Sequence, residues 1–233
     1  MTWIKICGIT NLEDALTAVE AGADAVGLIF HEKSPRKIDP EAARRIVAEL
    51  PPKVEKVGVF VLQGSPSVSE IAEQVGLTSL QIHVQVPLPV QLSQDRELGA
   101  VASARPHKFY LAMPAAWFLG DGPAAANLSS FVGRKPERPF DRILLDSGTP
   151  EQPGGTGKAF DWEKAAPRFE EMSAGIDVIV AGGLNSGNVS EAIRILKPWG
   201  VDVASGVEAS PGKKDPEKVR AFVRAVRETE KDK

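Results

Sequence analysis

Apolar runs that read as strands alternate with amphipathic runs that read as helices along this chain, and that alternation restricts the fold more than any single motif. Ile4 to Cys7 reads as the first strand, followed by a helix from Leu12 to Ala21 with Asn11 at its N-cap and Gly22 past its end. Ala25 to Phe30 is a second strand, and Pro40 to Leu50 a helix capped by Asp39 and stopped by Pro51-Pro52. Val57 to Val61, the helix Val68 to Val75, and Leu80 to His83 continue the series. It resumes with strands at Arg142 to Asp146, Val178 to Ala181 and Val201 to Ser205. Helices start at Asp161, span Asn188 to Lys197, and run from Pro216 to about Arg227.

Between these regular stretches, Pro87 and Pro89 interrupt the pattern. A helix across Asp95 to Ala102, a strand at Lys108 to Ala112 and a helix from Pro123 to Phe131 complete the count, and the charged end from Glu228 to Lys233 is expected to fray. Eight strand–helix units in 233 residues give ~29 residues each, the size of a βα unit. The expectation is therefore an α/β chain folded as a (β/α)8 TIM barrel, one domain over residues 1–233. A doubly wound open sheet competes with it. Such a sheet carries a G-x-G-x-x-G turn after its first strand when it binds a dinucleotide, and Cys7-Gly8-Ile9-Thr10-Asn11 has none.

Charge and cysteine content remove several classes of function. With a net charge of -3 there is no basic stripe to hold nucleic acid. One cysteine cannot form an internal disulfide, so a reducing compartment is the simpler setting. No stretch approaches the ~20 apolar residues of a membrane span, and the chain enters a strand at once without a charged leader. The expected location is cytoplasmic, with no membrane partner. His31, His83 and His107 lack metal-ligand spacing, so no metal is expected.

In a barrel the carboxyl ends of all strands meet at one rim, where the chemistry sits. Cys7, His83, Asp146, Gly182-Gly183 and Ser205-Gly206 then share that rim. Taken alone, Cys7 reads more readily as a buried core thiol than as a base, Asp146 as a helix cap or surface acid, and Arg36 as a solvated loop arginine. The period of two puts Leu144 and Asp146 on one strand face, so an inward Asp146 tops the lumen. The same period aligns Lys5 with Cys7, and an inward Lys5 is expected to pair with Asp202 in the layer below. Gly182-Gly183 and Ser205-Gly206 read either as tight turns or as phosphate-binding backbone at the ends of strands seven and eight. Gly154-Gly155-Thr156-Gly157 is not a Walker A loop, because Gln152 and Ala159 stand where glycine and Ser or Thr are needed.

In order along the chain, several segments carry a resemblance. They are Lys5-Ile6-Cys7-Gly8-Ile9-Thr10, Gly27-Leu28-Ile29-Phe30 with Ser34-Pro35-Arg36, Val57-Gly58-Val59-Phe60, Leu145-Asp146-Ser147, Gly154-Gly155-Thr156-Gly157, Ala181-Gly182-Gly183-Leu184, and Gly200-Val201-Asp202 through Glu208. Together they resemble the phosphoribosylanthranilate isomerase family, barrel enzymes of tryptophan biosynthesis. The family has glycine after its Gln-x-His strand, where this chain has Val84. The resemblance implies an Amadori rearrangement of a small phosphorylated substrate without a cofactor. It casts Cys7 as general base, Asp146 as general acid and Arg36 as the ligand of the anthranilate carboxylate. Phosphate falls to Gly155, Gly182, Gly183, Ser205 and Gly206, and His83 becomes a further substrate contact. Phe30 is either a wall for the ring or core. A monomer or homodimer is expected. The rival readings are another phosphate-binding barrel of tryptophan or histidine biosynthesis, or a non-catalytic phosphoribosyl-binding subunit.

Overall fold

A computed structural model describes residues 1–61, 68–84, 107–119, 140–148 and 158–231 of the chain. Its strands are β1 (Trp3–Cys7), β2 (Ala25–Ile29), β3 (Glu55–Val61), β4 (Ser79–His83), β5 (Lys108–Pro114), β6 (Arg142–Asp146), β7 (Asp177–Val180) and β8 (Gly200–Val203). They form a closed parallel barrel in chain order. Closure is made by β8 against β1, with Trp3 opposite Gly200 and Lys5 opposite Asp202. The barrel reading holds, and the open sheet is excluded because neither β1 nor β8 is left as an edge.

Helices α1 (Leu12–Ala21), α2 (Pro40–Glu49), α3 (Val68–Val75), α4 (Ala115–Leu119), α5 (Trp162–Ser173), α6 (Val189–Leu196) and α7 (Pro216–Lys231) are described. The caps behave as expected from side-chain chemistry. Asn11 accepts from the Asp14 N–H at 2.9 Å, Asp39 from Glu41 at 2.9 Å, and Gly22 closes α1 at a φ of 102°. A hairpin of β9 (Glu208–Ser210) and β10 (Lys213–Lys214) follows β8.

Strands buried on both faces create two apolar layers. Outward residues such as Ile4, Ile6, Leu28 and Phe60 pack against the helices, each worth about 1.5–3 kcal/mol when fully buried. Inward residues Trp3, Tyr110, Leu144 and Ile179 fill the lower lumen, backed by Trp199. There the Arg142 guanidinium lies 3.7 Å from the Trp199 ring centroid, and Glu55 accepts from Lys108 at 2.6 Å, from Ser79 at 3.1 Å and from the Tyr110 hydroxyl. These side chains close the lower end of the lumen among the described residues.

Most elements differ from the sequence reading by one or two residues at an end, and three of the differences have a clear local cause. Strand β8 stops at Val203 because Ala204 turns away and Ser205–Val207 forms a 3-10 turn. Helix α2 ends at Glu49, with Leu50 extended as its C-cap. The charged end does not fray through Lys231. Thr229 Oγ1 donates to Ala225 O at 2.7 Å and lies in hydrogen-bond contact with Ser190 Oγ at 2.8 Å, and Arg227 donates to Thr2 O at 2.6 Å. The helices expected at Asp95 to Ala102 and Pro123 to Phe131, and the run Gly154 to Gly157, lie outside the described residues. Among the described residues no helix is long and apolar enough to cross a membrane.

Candidate active site

Cys7 ends β1 facing the lumen, two residues above Lys5, and both depend on the absence of a side chain at Gly27 on the neighbouring strand. A Cβ there would stand 2.7 Å from the Cys7 sulfur and 2.9 Å from Lys5 Cε. Lys5 is fully buried, and its ammonium donates to Asp202 Oδ2 at 2.9 Å and to Gln81 Oε1 at 2.9 Å. The expected Lys5–Asp202 pair is therefore present. Burial pushes Lys5 down, but the charges of Asp202 and Cys7 outweigh it and hold the lysine above its ordinary value. Burial pushes the Cys7 thiol up, Lys5 pulls it down, and the net direction is upward.

Gln81 continues the chain of contacts, with its Nε2 at 3.0 Å from His83 Nε2. Burial, with Lys5 nearby, pushes His83 down to about 4, so the ring is neutral at physiological pH.

Across the rim Asp146 ends β6, and its Oδ1 accepts the Gly148 N–H at 2.7 Å. Burial drives its carboxyl up to about 6, and the Asp202 charge adds to the rise. Asp146, Ala181 to Leu184 and Asp202 to Ser205 line a solvent-open cleft with about 300 Å³ of empty space. Asp202 Oδ1 is buried in this wall with no hydrogen-bond partner among the described residues.

Arg36 lies along Gly8, whose positive φ and missing side chain admit the arginine stem. Its Nε and Nη2 donate to the two Glu208 oxygens at 2.8 Å each. Lys214, also fully buried, donates to Glu208 Oε1 at 3.0 Å and to Ala204 O at 3.2 Å. The guanidinium edge formed by Nε and Nη2 is thus already engaged, leaving Nη1 and the second N–H of Nη2 for a ligand.

For three of the glycines assigned to phosphate, the structure gives a packing reason for the missing side chain. A Cβ on Gly182 would overlap Ser147, one on Gly183 the Lys158–Ala159 peptide, and one on Gly206 the Leu184 carbonyl. Among the described residues none accepts from the N–H of Gly183 or Gly206. Ser205 lines the same cleft, and Gly155 lies outside the described residues. Phe30 belongs to the outer core, stacked on Phe60 at 5.2 Å between centroids. No cluster of three or more possible metal-ligating side chains occurs among the described residues.

Cys7, Asp146, His83, Gly182, Gly183, Ser205, Gly206 and Arg36 thus all reach one end of the barrel. Sequence reasoning did not assign Gly27, Gln81, Glu208 or Lys214. For Gln81 the signal was available, since it precedes His83 by two residues on the same strand face.

Residues 4–107 and 126–225 match the model of the N-(5'-phosphoribosyl)anthranilate (PRA) isomerase family. An N-(5'-phosphoribosyl)anthranilate isomerase from Chlorobaculum parvum is 42% identical over 231 residues, 99% of this chain and 97% of that protein. The crystal structure of phosphoribosyl anthranilate isomerase from Thermotoga maritima superimposes with a TM-score of 0.78 at 38% identity, over 98% of this chain and 100% of that one. A second crystal structure of such an isomerase, in complex with reduced 1-(o-carboxyphenylamino)-1-deoxyribulose 5-phosphate, gives 0.75 at 36% identity, over 98% of this chain and 100% of that one. On the extent of the family match and of these likenesses, the chain belongs to the N-(5'-phosphoribosyl)anthranilate isomerase family.

Proposed function

We propose that the chain isomerises N-(5'-phosphoribosyl)anthranilate through two proton transfers, with Asp146 as the acid and Cys7 as the base. The observation that carries this assignment is that Asp146 and Cys7, the only thiol of the chain, end β6 and β1 at the same rim of the barrel, with burial pushing the Asp146 carboxyl up. Asp146 gives its proton to the furanose ring oxygen while the nitrogen lone pair of the anthranilate breaks the bond from that oxygen to C1. The ring opens to a protonated imine. Cys7, as thiolate, removes the proton from C2, and the C–H electrons form the C1–C2 double bond of an enolamine as the nitrogen becomes neutral. Loss of the C2 hydroxyl proton and gain of one at C1 give the ketone, 1-(2-carboxyphenylamino)-1-deoxyribulose 5-phosphate. The substrate's own nitrogen is the electron sink.

The working form carries a protonated acid and an ionised base. Asp146 loses its proton near 6 and Cys7 ionises at higher pH, so this form is a minor tautomer of the neutral-pH enzyme. Its share is constant between the two transitions and falls tenfold per pH unit below about 6.

Arg36 meets the anthranilate carboxylate through its remaining Nη1 and Nη2 donors, and the phosphate lies against the backbone N–H groups near Gly183 and Gly206, at the start of α6. Gly182 and Ser205 shape that subsite, and His83 contacts the substrate as a neutral ring. The test is loss of anthranilate fluorescence as the purified chain consumes phosphoribosylanthranilate. Cys7→Ser and Asp146→Asn should each cut kcat by ~100-fold or more. Near-normal turnover of Cys7→Ser would remove the thiol from the mechanism.

A further inference from the structure

The Lys5 ammonium joins β8 to β4 one layer below the rim and is wholly shielded from solvent. It is held by Asp202 Oδ2 and Gln81 Oε1 at 2.9 Å each, and its stem converges with the Cys7 sulfur on the notch left by Gly27. Ammonium has donors only, so the Gln81 atom facing it must be the amide oxygen, and the amide nitrogen must face His83 Nε2. That nitrogen is also a donor only. His83 Nε2 must therefore accept, which places the ring proton on Nδ1.

We infer that Lys5 is a positioning residue with two outputs, stabilising the Cys7 thiolate as it forms and, through the Gln81 amide, holding His83 as the neutral Nδ1–H tautomer. This rests on the reading of Cys7 as the base. A protonated His83 would oppose Lys5 and lose its bond to Gln81. Turning the amide to suit it would set the amide's own N–H groups against the ammonium.

The other charges around Cys7 fix the sign of the expected effect. Lys5 lies on its own strand, Asp202 on β8, Lys214 on the hairpin and Arg36 on the loop after β2. Glu208 pairs with both Lys214 and Arg36, while His83 and Asp146 face Lys5 from β4 and β6. For the thiolate, attraction by Lys5 outranks repulsion by Asp202. Removing both charges together must then raise the thiol midpoint.

The experiment titrates the thiolate by its absorbance at about 240 nm, with Cys7→Ser as blank, which isolates one site because the chain has one cysteine. Either single variant leaves a buried charge unpaired and risks unfolding, so the charge-neutral double variant Lys5→Met/Asp202→Asn is the probe. It should titrate about one pH unit or more above the parent. Long-range proton–nitrogen NMR of the ring should show the parent His83 with its proton on Nδ1, and the double variant as a mixture of tautomers. An unmoved thiol midpoint, or a His83 tautomer indifferent to Lys5, overturns the assignment even if turnover falls. Retained turnover in Cys7→Ser would instead remove the base reading, while the titration still reports on Lys5.

Discussion

Asp146→Asn separates the cost of a neutral catalytic carboxyl from its benefit. The parent carboxyl titrates at about 6 in the fold against an ordinary 3.8, so the folded state resists its ionisation. Below pH 3.8 both folded and unfolded chains carry the proton, and there is no penalty. As pH rises toward 6 the unfolded chain ionises freely while the folded one does not, so the parent loses stability across that window. Above it the loss is complete, at about 3 kcal/mol. That figure is a ceiling, because the carboxyl keeps part of its surface toward the cleft. Asparagine keeps the oxygen that accepts from Gly148 and carries no charge. The variant should match the parent near pH 3.5 and exceed it by up to about 3 kcal/mol above pH 6.5, roughly a 1 M shift in urea midpoint. Urea unfolding followed by tryptophan fluorescence at several pH values measures this difference, and kcat should be lost in the same variant. Stability curves that stay parallel at every pH would mean that Asp146 ionises normally. It could not then act as the acid at neutral pH.

Glu208→Gln should raise KM roughly tenfold with kcat nearly unchanged, since it loosens the bidentate hold on Arg36; a fall in kcat at constant KM would place Glu208 in the chemistry instead. Gly206→Ala should cost about 2 kcal/mol and roughly 5 °C in Tm, because its Cβ overlaps the Leu184 carbonyl. An unchanged Tm with a raised KM would mean that glycine is needed for ligand approach and not for packing. Tyr110→Phe should lower stability by about 1 kcal/mol in urea unfolding and leave kcat/KM unchanged, since its hydroxyl bridges Glu55 and Arg142 in the barrel floor. A tenfold fall in kcat/KM would show that the floor and the rim are coupled.

What could be read ahead of the structure follows the range of the interaction. Strand periodicity put Lys5 under Cys7 and Leu144 under Asp146, because a period of two is a local property. The Lys5–Asp202 pair became legible once a closed barrel was assumed, since closure sets β8 beside β1. The Gly27 notch was not legible, because it matters only through the side chains of a neighbouring strand. Nor was the Arg36–Glu208 pair, which joins residues 172 positions apart. The last turn of α7 looked like a fraying charged tail because its anchors, Ser190 and Thr2, are distant in sequence. The phosphate glycines show a different gap. A glycine demanded by a crowded backbone and one demanded by a ligand are written with the same letter.

The Lys5–Asp202 pair also bears on how the barrel is assembled. Its two members lie 197 residues apart and meet only across the β1–β8 seam, the last pairing available to a chain made from its N-terminus. Until β8 arrives, β1 is an open parallel edge carrying a lysine without its carboxylate on the lumen face, and so cannot bury that face against an apolar strand of another chain without desolvating the charge. Slippage of β8 by one residue would turn Asp202 to the helix layer and strand Lys5 in the lumen, a penalty of several kcal/mol. The charge beneath the thiol thus doubles as a proofreading contact: the seam that completes the site closes favourably in the one register that makes the site work.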